Sequence, residues 1–280
     1  MWKTATHTID ISRPLVMGIL NVTPDSFSDG GEFFSVDAAV RRAERMIGEG
    51  ADIIDIGGES TRPGSRRISA DEEAERVVPV IEAVAARFDV PVSIDTTKPE
   101  VAEAAIAAGA AIINDISGLR WQPELADIAT KSGAGLILMH SRGTFEAMHT
   151  EPPADDIIAD VRAAFTNALN TAEAAGVAKE NIALDIGIGF GKTFEQNLEL
   201  LAKLDKIIAE FENYPMLVGV SRKSFIGKIL GEPDPQKRVA ASVAAAVLAI
   251  TKGASIVRVH DVKETADAIK IFEAINKINE

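Results

Sequence analysis

The sequence predicts a single-domain (β/α)8 barrel, the TIM barrel, on three observations. Eight short apolar runs recur along the 280 residues, and longer segments rich in Ala, Glu, Lys and Leu lie between them. The runs are continuously apolar rather than alternating, which is typical of parallel strands buried on both faces. No low-complexity linker interrupts residues 1–280. Eight strand–helix units in one chain favour a closed barrel, and an open doubly wound sheet is the competing layout.

Each strand and several helices are predicted from local pattern. The apolar runs are PLVMGIL (14–20), DIIDIG (52–57), PVSID (91–95), AIIND (111–115), GLILMH (135–140), IALDIG (182–187), PMLVGVS (215–221) and SIVRVH (255–260). Helical spacing of apolar residues marks 35–50, 70–88 and 154–176 as helices. Ser69 stands three residues before Glu72, the spacing of a capping box. Residues 1–13 are expected to form a short N-terminal β-hairpin that plugs the bottom of the barrel.

Composition argues against several classes of protein. The net charge is −13, with 42 acidic against 29 basic residues, whereas a nucleic-acid-binding protein normally presents a basic face. No run reaches the roughly 18 to 20 apolar residues of a membrane helix, and the first residues do not read as a signal or transit segment. The absence of cysteine excludes disulfides and thiolate chemistry and fits a reducing compartment. We therefore expect a cytoplasmic protein that binds neither nucleic acid nor membrane.

Polar side chains follow all eight predicted strands. In barrel enzymes the chemistry lies at the carboxyl ends of the strands, so this coincidence predicts a functional mouth. The residues at these ends are Asn21, Asp95, Asn114, Asp115, Met139, His140, Asp185, Arg258 and His260, together with the loops GGESTRPGSRR, GIGFGKT and SRKS. A structural alternative exists for three of them, because Asp95, Asn114 and Asp115 can also cap the helices that follow.

The residue types at the mouth suit recognition of a flat heterocycle. A carboxylate accepts two parallel hydrogen bonds from adjacent ring N–H groups, and Lys223 can donate to ring acceptors. Arg258 can stack its guanidinium plane on a ring, and Asn21 can offer its amide oxygen to Mg²⁺. Arg62, Arg222 and His260 supply local positive charge for an anionic group. The run GIGFGK lacks the spacing of a P-loop, and His7, His140 and His149 do not suggest a metal site.

Eight motifs in order resemble one known family, the dihydropteroate synthases of folate biosynthesis. They are MGILNVTPDSFSDGG, DIIDIGGESTRPGS, SIDTTKPEVA, INDISG, LMHSRGT, LDIGIGFGKTFEQNLELL, GVSRKSFIG and VRVHDVKET, and they extend from about residue 14 to residue 272. The resemblance implies a barrel and a Mg²⁺-dependent transferase that joins 6-hydroxymethyl-7,8-dihydropterin pyrophosphate to 4-aminobenzoate. It also implies a sulfonamide target and a homodimer.

The resemblance assigns roles to individual residues. It implies a pterin pocket of Asp95, Asn114, Asp185 and Lys223, with Ile116, Met139, Phe190 and Arg258 packing on the ring. It implies a pyrophosphate site at Asn21, Arg62, Arg258 and His260, with Mg²⁺ on Asn21. It implies an aminobenzoate site of Thr61, Arg62, Pro63, Phe190, Ser221 and Ser224, with Phe27 closing over it as part of a lid. The family's mechanism is dissociative, and Asp29 is expected to help stabilise the pterin cation.

Three positions depart from the family pattern as it is usually written. Ile186 follows Asp185 where proline is usual, Ser141 follows His140 where a larger residue is common, and Trp121 is unexpected in its loop. None of these departures removes a residue to which the resemblance assigns a binding role. We expect them to change only local packing and loop shape.

Other functions stay open at the level of the sequence. A related barrel transfers a methyl group from methyltetrahydrofolate to a corrinoid and shares the pterin-reading Asp and Asn residues. It would lack NVTPDSFSDGG and STRPGS, which are both present. A pterin-binding module without catalysis would be favoured if Asn21, Arg62 or Lys223 were absent, and all three are present. A synthase acting on a modified pterin or another arylamine is not separated from the main interpretation.

Overall fold

Eight parallel strands close into a barrel in which neighbours along the chain are neighbours in space. The computed structural model of the protein describes residues 1–23, 36–61, 64–148 and 150–278. The barrel strands are β3 (Leu15–Asn21), β4 (Ile53–Gly57), β5 (Val92–Asp95), β6 (Ile112–Asp115), β7 (Gly135–Met139), β8 (Ile182–Asp185), β9 (Met216–Val218) and β10 (Ile256–Val259). β10 pairs with β3, and the order then runs through β4 to β9. The predicted (β/α)8 barrel is confirmed, and the open doubly wound alternative is wrong.

Helices cover the outside of this barrel. They are α1 (Val36–Glu49), α2 (Ala70–Arg87), α3 (Pro99–Ala107), α4 (Glu124–Ser132), α5 (Ile157–Ala174), α6 (Phe194–Ala202), α7 (Leu204–Glu210), α8 (Ser224–Leu230), α9 (Val239–Thr251) and α10 (Val262–Asn276). Two helices follow β8 and two follow β9, where we expected one each. The first pair is separated at Lys203, whose backbone leaves the helical region at φ −106° and ψ 15°. No helix in the described ranges is both long enough and apolar enough to cross a membrane.

Side-chain caps mark the starts of α2 and α6. Ser69 accepts a hydrogen bond from the backbone N–H of Glu72 at 3.1 Å as the N-cap of α2, but the Glu72 carboxylate pairs with Arg76 and does not complete the predicted capping box. Thr193 and Gln196 form a reciprocal capping box at the start of α6. Such caps satisfy backbone N–H groups that have no partner within the helix. They fix where the loops at the mouth end and the outer helices begin.

The N-terminal hairpin consists of β1 (Trp2–Lys3) and β2 (Thr8–Ile9), which pair antiparallel. Trp2 is fully buried among the side chains that fill the lower barrel, and its Nε1 donates to the carbonyl of Asn181 at 2.9 Å. The predicted plug is therefore confirmed. The buried side chains of this plugged layer are Trp2, Ile9, Leu15, Met17, Ile53, Ala111, Ile112, Ile137, Ala183, Leu217 and Ile256.

The inward-facing positions change from apolar to polar as the strands approach the mouth. Side chains two residues apart on a strand point to the same side, so each apolar residue of the lower layer predicts an inward neighbour above it. Moving up two residues from Ile53, Ile112, Ile137, Ala183 and Ile256 leads to Asp55, Asn114, Met139, Asp185 and Arg258. The same period that packs the lower barrel thus directs a set of polar side chains into its upper end.

Candidate active site

Four strands place their last inward residues at one level of the mouth. Strand register aligns Asn21 with Gly57, Gly57 with Asp95, and Asp95 with Asn114. On the far side, Met139 aligns with Asp185. Gly57 leaves room in this row, because a Cβ there would lie 3.4 Å from the Cβ of Asp95. Residues that the sequence predicted at separate strand ends therefore lie side by side.

Arg258 joins three strands through its guanidinium group. Its Nε donates to Oδ2 of Asp55 at 2.6 Å, and its Nη2 donates to Oδ2 of Asp95 at 2.6 Å. Asn114 donates from Nδ2 to the same Asp55 carboxylate at 3.3 Å. The capping alternative for Asp95 is not observed, since α3 begins at Pro99 and its N-cap residue, Lys98, makes no side-chain capping bond. Asp115 instead accepts backbone hydrogen bonds from the loop that follows β6.

Asp55 is the residue of this network that the sequence analysis missed. It is fully buried and lies one inward position below Gly57. A signal was present, because Asp55 interrupts the apolar run of β4 at a position facing the barrel interior. A charge at such a position must be paired when it is buried. Its partner, however, comes from the last strand and could not be identified from local pattern.

Burial dominates the charge state of the mouth. It raises the pKa of Asp95 to about 7, although the nearby Arg258 opposes the shift. It also raises the pKa of Asp185, against the hydrogen bond that Oδ1 accepts from Gly187 N–H at 2.7 Å. For Arg258 burial works against the charge, but the carboxylates of Asp55 and Asp95 outweigh it and raise the pKa. The site thus holds a fixed cation beside carboxylates that gain protons more readily than usual.

Lys223 and Phe190 form the opposite wall. The Lys223 ammonium lies 4.2 Å from the centroid of the Phe190 ring, a cation–π contact. Burial, and next the nearby Arg258, lower the pKa of Lys223 to about 8. Gly189 allows this approach, because a Cβ there would lie 3.1 Å from Cδ of Lys223. A donor with this pKa is available to a ligand at neutral pH.

Apolar side chains complete the wall between these polar groups. Ile116 and Met139 are buried in a cluster with Phe145 and Met148, and Phe190 packs against it from the loop after β8. Three of the four ring-packing residues implied by the resemblance, Ile116, Met139 and Phe190, therefore share one cluster. A flat apolar face bordered by carboxylate, amide and ammonium groups is suited to a polar heterocycle.

Lys192 holds the loop that carries Phe190, a role that the sequence analysis did not predict. Its Nζ donates to the carbonyl oxygens of Gly187 at 2.7 Å, Phe190 at 3.0 Å and His140 at 3.2 Å. These three bonds use all the donors of an ammonium group and tie the end of β7 to the loop after β8. The glycine-rich run is thus a turn fastened by its own lysine.

His260 and Ser221 meet at the ends of the last two strands. Nδ1 of His260 lies 3.1 Å from Oγ of Ser221. Burial, then the nearby Arg222 and Arg258, lower the pKa of His260 to about 3, so the ring is neutral at pH 7 and does not supply the positive charge that we expected from it. Arg222 forms a two-point ion pair with Asp261, at 3.0 Å from Nε and 2.5 Å from Nη2. That pair neutralises the charge which we expected Arg222 to offer an anion.

The remaining predicted site residues are less closely joined. Thr61 lies in the loop after β4, and Ser224 is exposed as the first residue of α8. Asn21 is half-buried at the end of β3 and offers one amide oxygen, which fits Mg²⁺ when a ligand phosphate supplies further oxygens. Four predicted residues lie outside the described residues: Phe27, Asp29, Arg62 and Pro63.

The departures from the family pattern have local structural consequences. Trp121 donates from Nε1 to the carbonyl of Gly143 at 3.1 Å and joins the loops after β6 and β7. Ser141 accepts from Nη2 of Arg120 at 3.0 Å, which links the same two loops. Ile186 is fully buried. The expectation that these changes affect packing rather than the polar mouth agrees with these positions.

Comparison with known proteins identifies close relatives over nearly the whole chain. Residues 17–260 match the family model described as pterin binding enzyme. The dihydropteroate synthase of Escherichia coli K12 is 50% identical over 269 residues, which cover 95% of this chain and 93% of that protein.

Solved structures agree with that relationship. A Yersinia pestis dihydropteroate synthase with a sulfonamide drug is 49% identical with a TM-score of 0.91, covering 98% of each chain. A Xanthomonas albilineans dihydropteroate synthase in complex with 7,8-dihydropteroate is 43% identical with a TM-score of 0.88, covering 97% of each chain.

Proposed function

This chain belongs to the dihydropteroate synthase family of pterin-binding enzymes, and from that premise we propose how its barrel mouth performs the reaction. The substrates are 6-hydroxymethyl-7,8-dihydropterin pyrophosphate and 4-aminobenzoate, and the products are 7,8-dihydropteroate and pyrophosphate. One observation carries the proposal. The carboxylate of Asp95 and the amide of Asn114 lie side by side at the mouth, with the ammonium of Lys223 and an apolar wall nearby, in a chain 43% identical to a synthase solved with 7,8-dihydropteroate.

The pterin ring binds between the carboxylates and the apolar wall. Asp95 and Asp185 accept hydrogen bonds from ring N–H groups, and Asn114 donates or accepts beside them. Lys223 donates to a ring acceptor. Ile116, Met139 and Phe190 pack on the ring, as their shared cluster supports. Arg258 covers the opposite ring face, and its bond to Asp55 fixes the guanidinium while Asp95 turns to the ligand.

The pyrophosphate lies toward the ends of β3 and β10. Arg258 supplies charge there, neutral His260 can donate one ring N–H, and Arg62 follows Thr61 in the chain. Asn21 would hold Mg²⁺ through its amide oxygen. When bound, the metal would neutralise charge on the departing pyrophosphate. These residues together favour the departure of an anion from an otherwise acidic protein.

The aminobenzoate binds beside the loop after β4. Thr61, Arg62 and Pro63 come from that loop, Phe190 from the loop after β8, Ser221 from the loop after β9, and Ser224 from the first turn of α8. Phe27 closes over the bound pair, which would explain an aromatic residue within the polar run after β3. Closure would exclude water from the reactive centre.

The reaction proceeds by breakage of the bond between carbon and oxygen before the arylamine attacks. The cation left on the pterin methylene is delocalised into the ring, and the carboxylates Asp95, Asp185 and Asp29 stabilise it. The amine nitrogen of aminobenzoate then forms the new bond and loses its proton. No covalent enzyme intermediate is required.

Location and assembly form a separate part of the proposal. A cytoplasmic enzyme fits the cysteine-free composition. A homodimer is implied by the family resemblance, and exposed apolar side chains on α8 and α9 support it. Ile229 is 57% exposed, Leu230 is 52% exposed and Leu248 is 63% exposed. Light scattering of the purified protein distinguishes a dimer of 59 kDa, twice 29.7 kDa, from a monomer.

Product identification tests the proposed reaction against its rivals. The purified protein is incubated with the dihydropterin pyrophosphate, Mg²⁺ and 4-aminobenzoate, and the products are separated and weighed by mass spectrometry. Formation of 7,8-dihydropteroate supports the synthase. Pterin binding without that product contradicts it and favours a binding module or another arylamine. Methyl transfer from methyltetrahydrofolate to a corrinoid would instead favour the related methyltransferase.

A further inference from the structure

A buried ionic cluster lies beside the mouth and has no part in the site described above. The ammonium of Lys98 lies 3.0 Å from Oε1 of Glu59 and is also bonded to Oε2 of Glu73. Lys98 is 7% exposed and Glu73 is fully buried. Three parts of the fold meet here: the start of the β4–α2 loop, the first turn of α2, and the segment between β5 and α3. We call Glu59, Glu73 and Lys98 the clasp.

Glu59 also closes the loop on which it stands. Its Oε1 accepts a hydrogen bond from the backbone N–H of Ile68 at 2.7 Å, across nine residues. Within the same segment, Oγ of Ser65 donates to the carbonyl of Ser60 at 2.5 Å. One carboxylate therefore holds both ends of the segment that begins with Ser60 and Thr61. Lys98 connects that carboxylate to the barrel.

Gly58 permits the close approach that the clasp needs. A Cβ at Gly58 would lie 2.8 Å from Cγ1 of Val77 and 3.0 Å from Cγ of Glu73, so a larger residue would force these α2 side chains to shift. Nη1 of Arg76 also donates to the carbonyl of Gly58 at 2.9 Å. The start of the loop is thus fixed to α2 by packing and by hydrogen bonds.

Burying the charged groups of the clasp costs desolvation free energy. The clasp places two carboxylates with one ammonium, and burial raises the pKa of Glu73 against the opposing effect of Lys98. Oε1 of Glu73 has no hydrogen-bond partner among the described residues. Apolar residues of similar volume often stabilise a fold as well as a buried ion pair does. Directional bonds offer what apolar packing does not, namely one fixed geometry for the loop.

The position of Lys98 indicates which geometry is fixed. Lys98 stands three residues after Asp95, in the segment that joins β5 to α3, and Thr61 stands two residues after Glu59. A series of contacts therefore connects the segment after Asp95, the carboxylate that we assigned to the pterin, through the clasp to the loop that we assigned to aminobenzoate. A connection of this kind can set the distance between two binding half-sites.

We propose that Glu59, Lys98 and Glu73 are positioning residues that hold the β4–α2 loop, and Thr61 with it, in register with the strand end that carries Asp95. They touch neither substrate. The substrate assignment rests on the proposed function, whereas the clasp itself rests on the contacts above. Loss of the clasp should therefore weaken use of aminobenzoate while leaving the pterin half-site intact.

Two variants and a matched control test the proposal. Glu59→Gln keeps an acceptor for Ile68 but removes the ion pair, and Glu59→Ala removes both. Glu75→Gln removes one charge from an exposed position of the same helix, two residues after Glu73. We expect the KM for aminobenzoate to rise about tenfold in Glu59→Ala, less in Glu59→Gln and not in Glu75→Gln, with the KM for the pterin substrate changed less than about twofold.

Hydrogen exchange provides a readout that does not depend on turnover. The Ile68 amide should exchange at least about tenfold faster in Glu59→Ala than in the wild type or Glu75→Gln. Unchanged exchange in a folded Glu59→Ala protein overturns the clasp. A parallel rise of both KM values overturns its positioning role. If the wild type fails to form dihydropteroate, the proposed function fails, and the exchange measurement still decides whether the clasp exists.

Discussion

Nε of Arg258 donates a 2.6 Å hydrogen bond to Oδ2 of Asp55, a residue 203 positions earlier in the chain. The bond passes from the last barrel strand, across β3, to the second barrel strand. Because Asp55 is fully buried, this bond holds the guanidinium at the mouth whether or not a ligand is present. Arg258 also bonds Asp95, so the same group links the barrel's closure to its candidate pterin pocket.

Replacing Arg258 should cost stability as well as activity. In Arg258→Met the carboxylate of Asp55 stays buried without its cation, and we expect the free energy of unfolding to fall by about 3 to 5 kcal/mol. Urea denaturation measures the change. As a control, Lys263→Met breaks an exposed ion pair with Asp267 on α10 and should leave the unfolding midpoint unchanged. Equal midpoints for wild type and Arg258→Met would contradict this role.

Pterin affinity should depend on pH through Asp95. Burial raises the pKa of this carboxyl to about 7, and only the deprotonated form accepts two hydrogen bonds from ring N–H groups. Affinity should therefore fall as pH drops through 7, approaching about tenfold per pH unit well below it. Calorimetric titration with 6-hydroxymethylpterin across this range measures the effect. Asp95→Asn should bind the pterin weakly at every pH. If the wild type and Asp95→Asn show the same dependence of affinity on pH, Asp95 is not the source of that dependence.

Lys223, after β9, and Lys192, after β8, should differ in role: we expect Lys223 to bind the pterin and Lys192 to stabilise the fold. Lys223→Met should weaken pterin binding at least about tenfold, because a ring acceptor loses its donor. Its stability should not fall, since burial already disfavours that charge and lowers the pKa to about 8. Calorimetry and urea denaturation measure the two quantities. Pterin affinity unchanged in Lys223→Met would remove Lys223 from the pocket.

Lys192→Met is the matched control for that prediction. It leaves the carbonyls of His140, Gly187 and Phe190 without their shared donor. We expect a loss of about 1 to 3 kcal/mol in the free energy of unfolding. A Lys192→Met protein as stable as the wild type would show that the three bonds do not hold the loop.

Gly187 and Gly189 of the β8–α6 loop should differ sharply in the stability that is lost when each is replaced by alanine. At Gly187 the φ is +64° and a Cβ would lie 1.8 Å from the carbonyl oxygen of His140, so backbone must move. At Gly189 the φ is +86° and the nearest atom, at 3.1 Å, belongs to the flexible Lys223 side chain. Gly187→Ala should lose roughly 3 kcal/mol or more and Gly189→Ala roughly 1 to 2 kcal/mol. Thermal unfolding of both variants measures these two losses. A larger loss in Gly189→Ala than in Gly187→Ala would contradict the prediction.

Local pattern was sufficient to predict the strands and the residues at their ends. Each barrel strand lies within its predicted apolar run or extends one residue beyond it, as β3 does at Asn21. Parallel strands buried on both faces make such runs continuous, and a closed barrel brings their carboxyl ends together. That is why Asp95, Asn114 and Asp185 could be predicted to lie at the same end of the barrel without any knowledge of their contacts.

Contacts between distant segments could not be predicted in the same way. The partners of Asp55, the three carbonyls around Lys192 and the pairing of Lys98 with Glu59 depend on how loops and strands meet in space. Arg222 illustrates the limit, because the sequence predicts that its charge serves a ligand, whereas the guanidinium is paired with Asp261. The split between α6 and α7 at Lys203 likewise lacks a proline or glycine to mark it.

Release of pyrophosphate, measured with and without 4-aminobenzoate, tests the proposed synthase most directly. The purified protein is given the dihydropterin pyrophosphate and Mg²⁺, and pyrophosphate and dihydropteroate are quantified together. We predict release that depends on the arylamine, with one dihydropteroate formed for each pyrophosphate and with Asp185→Asn strongly impaired. Tight pterin binding with no arylamine-dependent release of pyrophosphate would contradict the proposal.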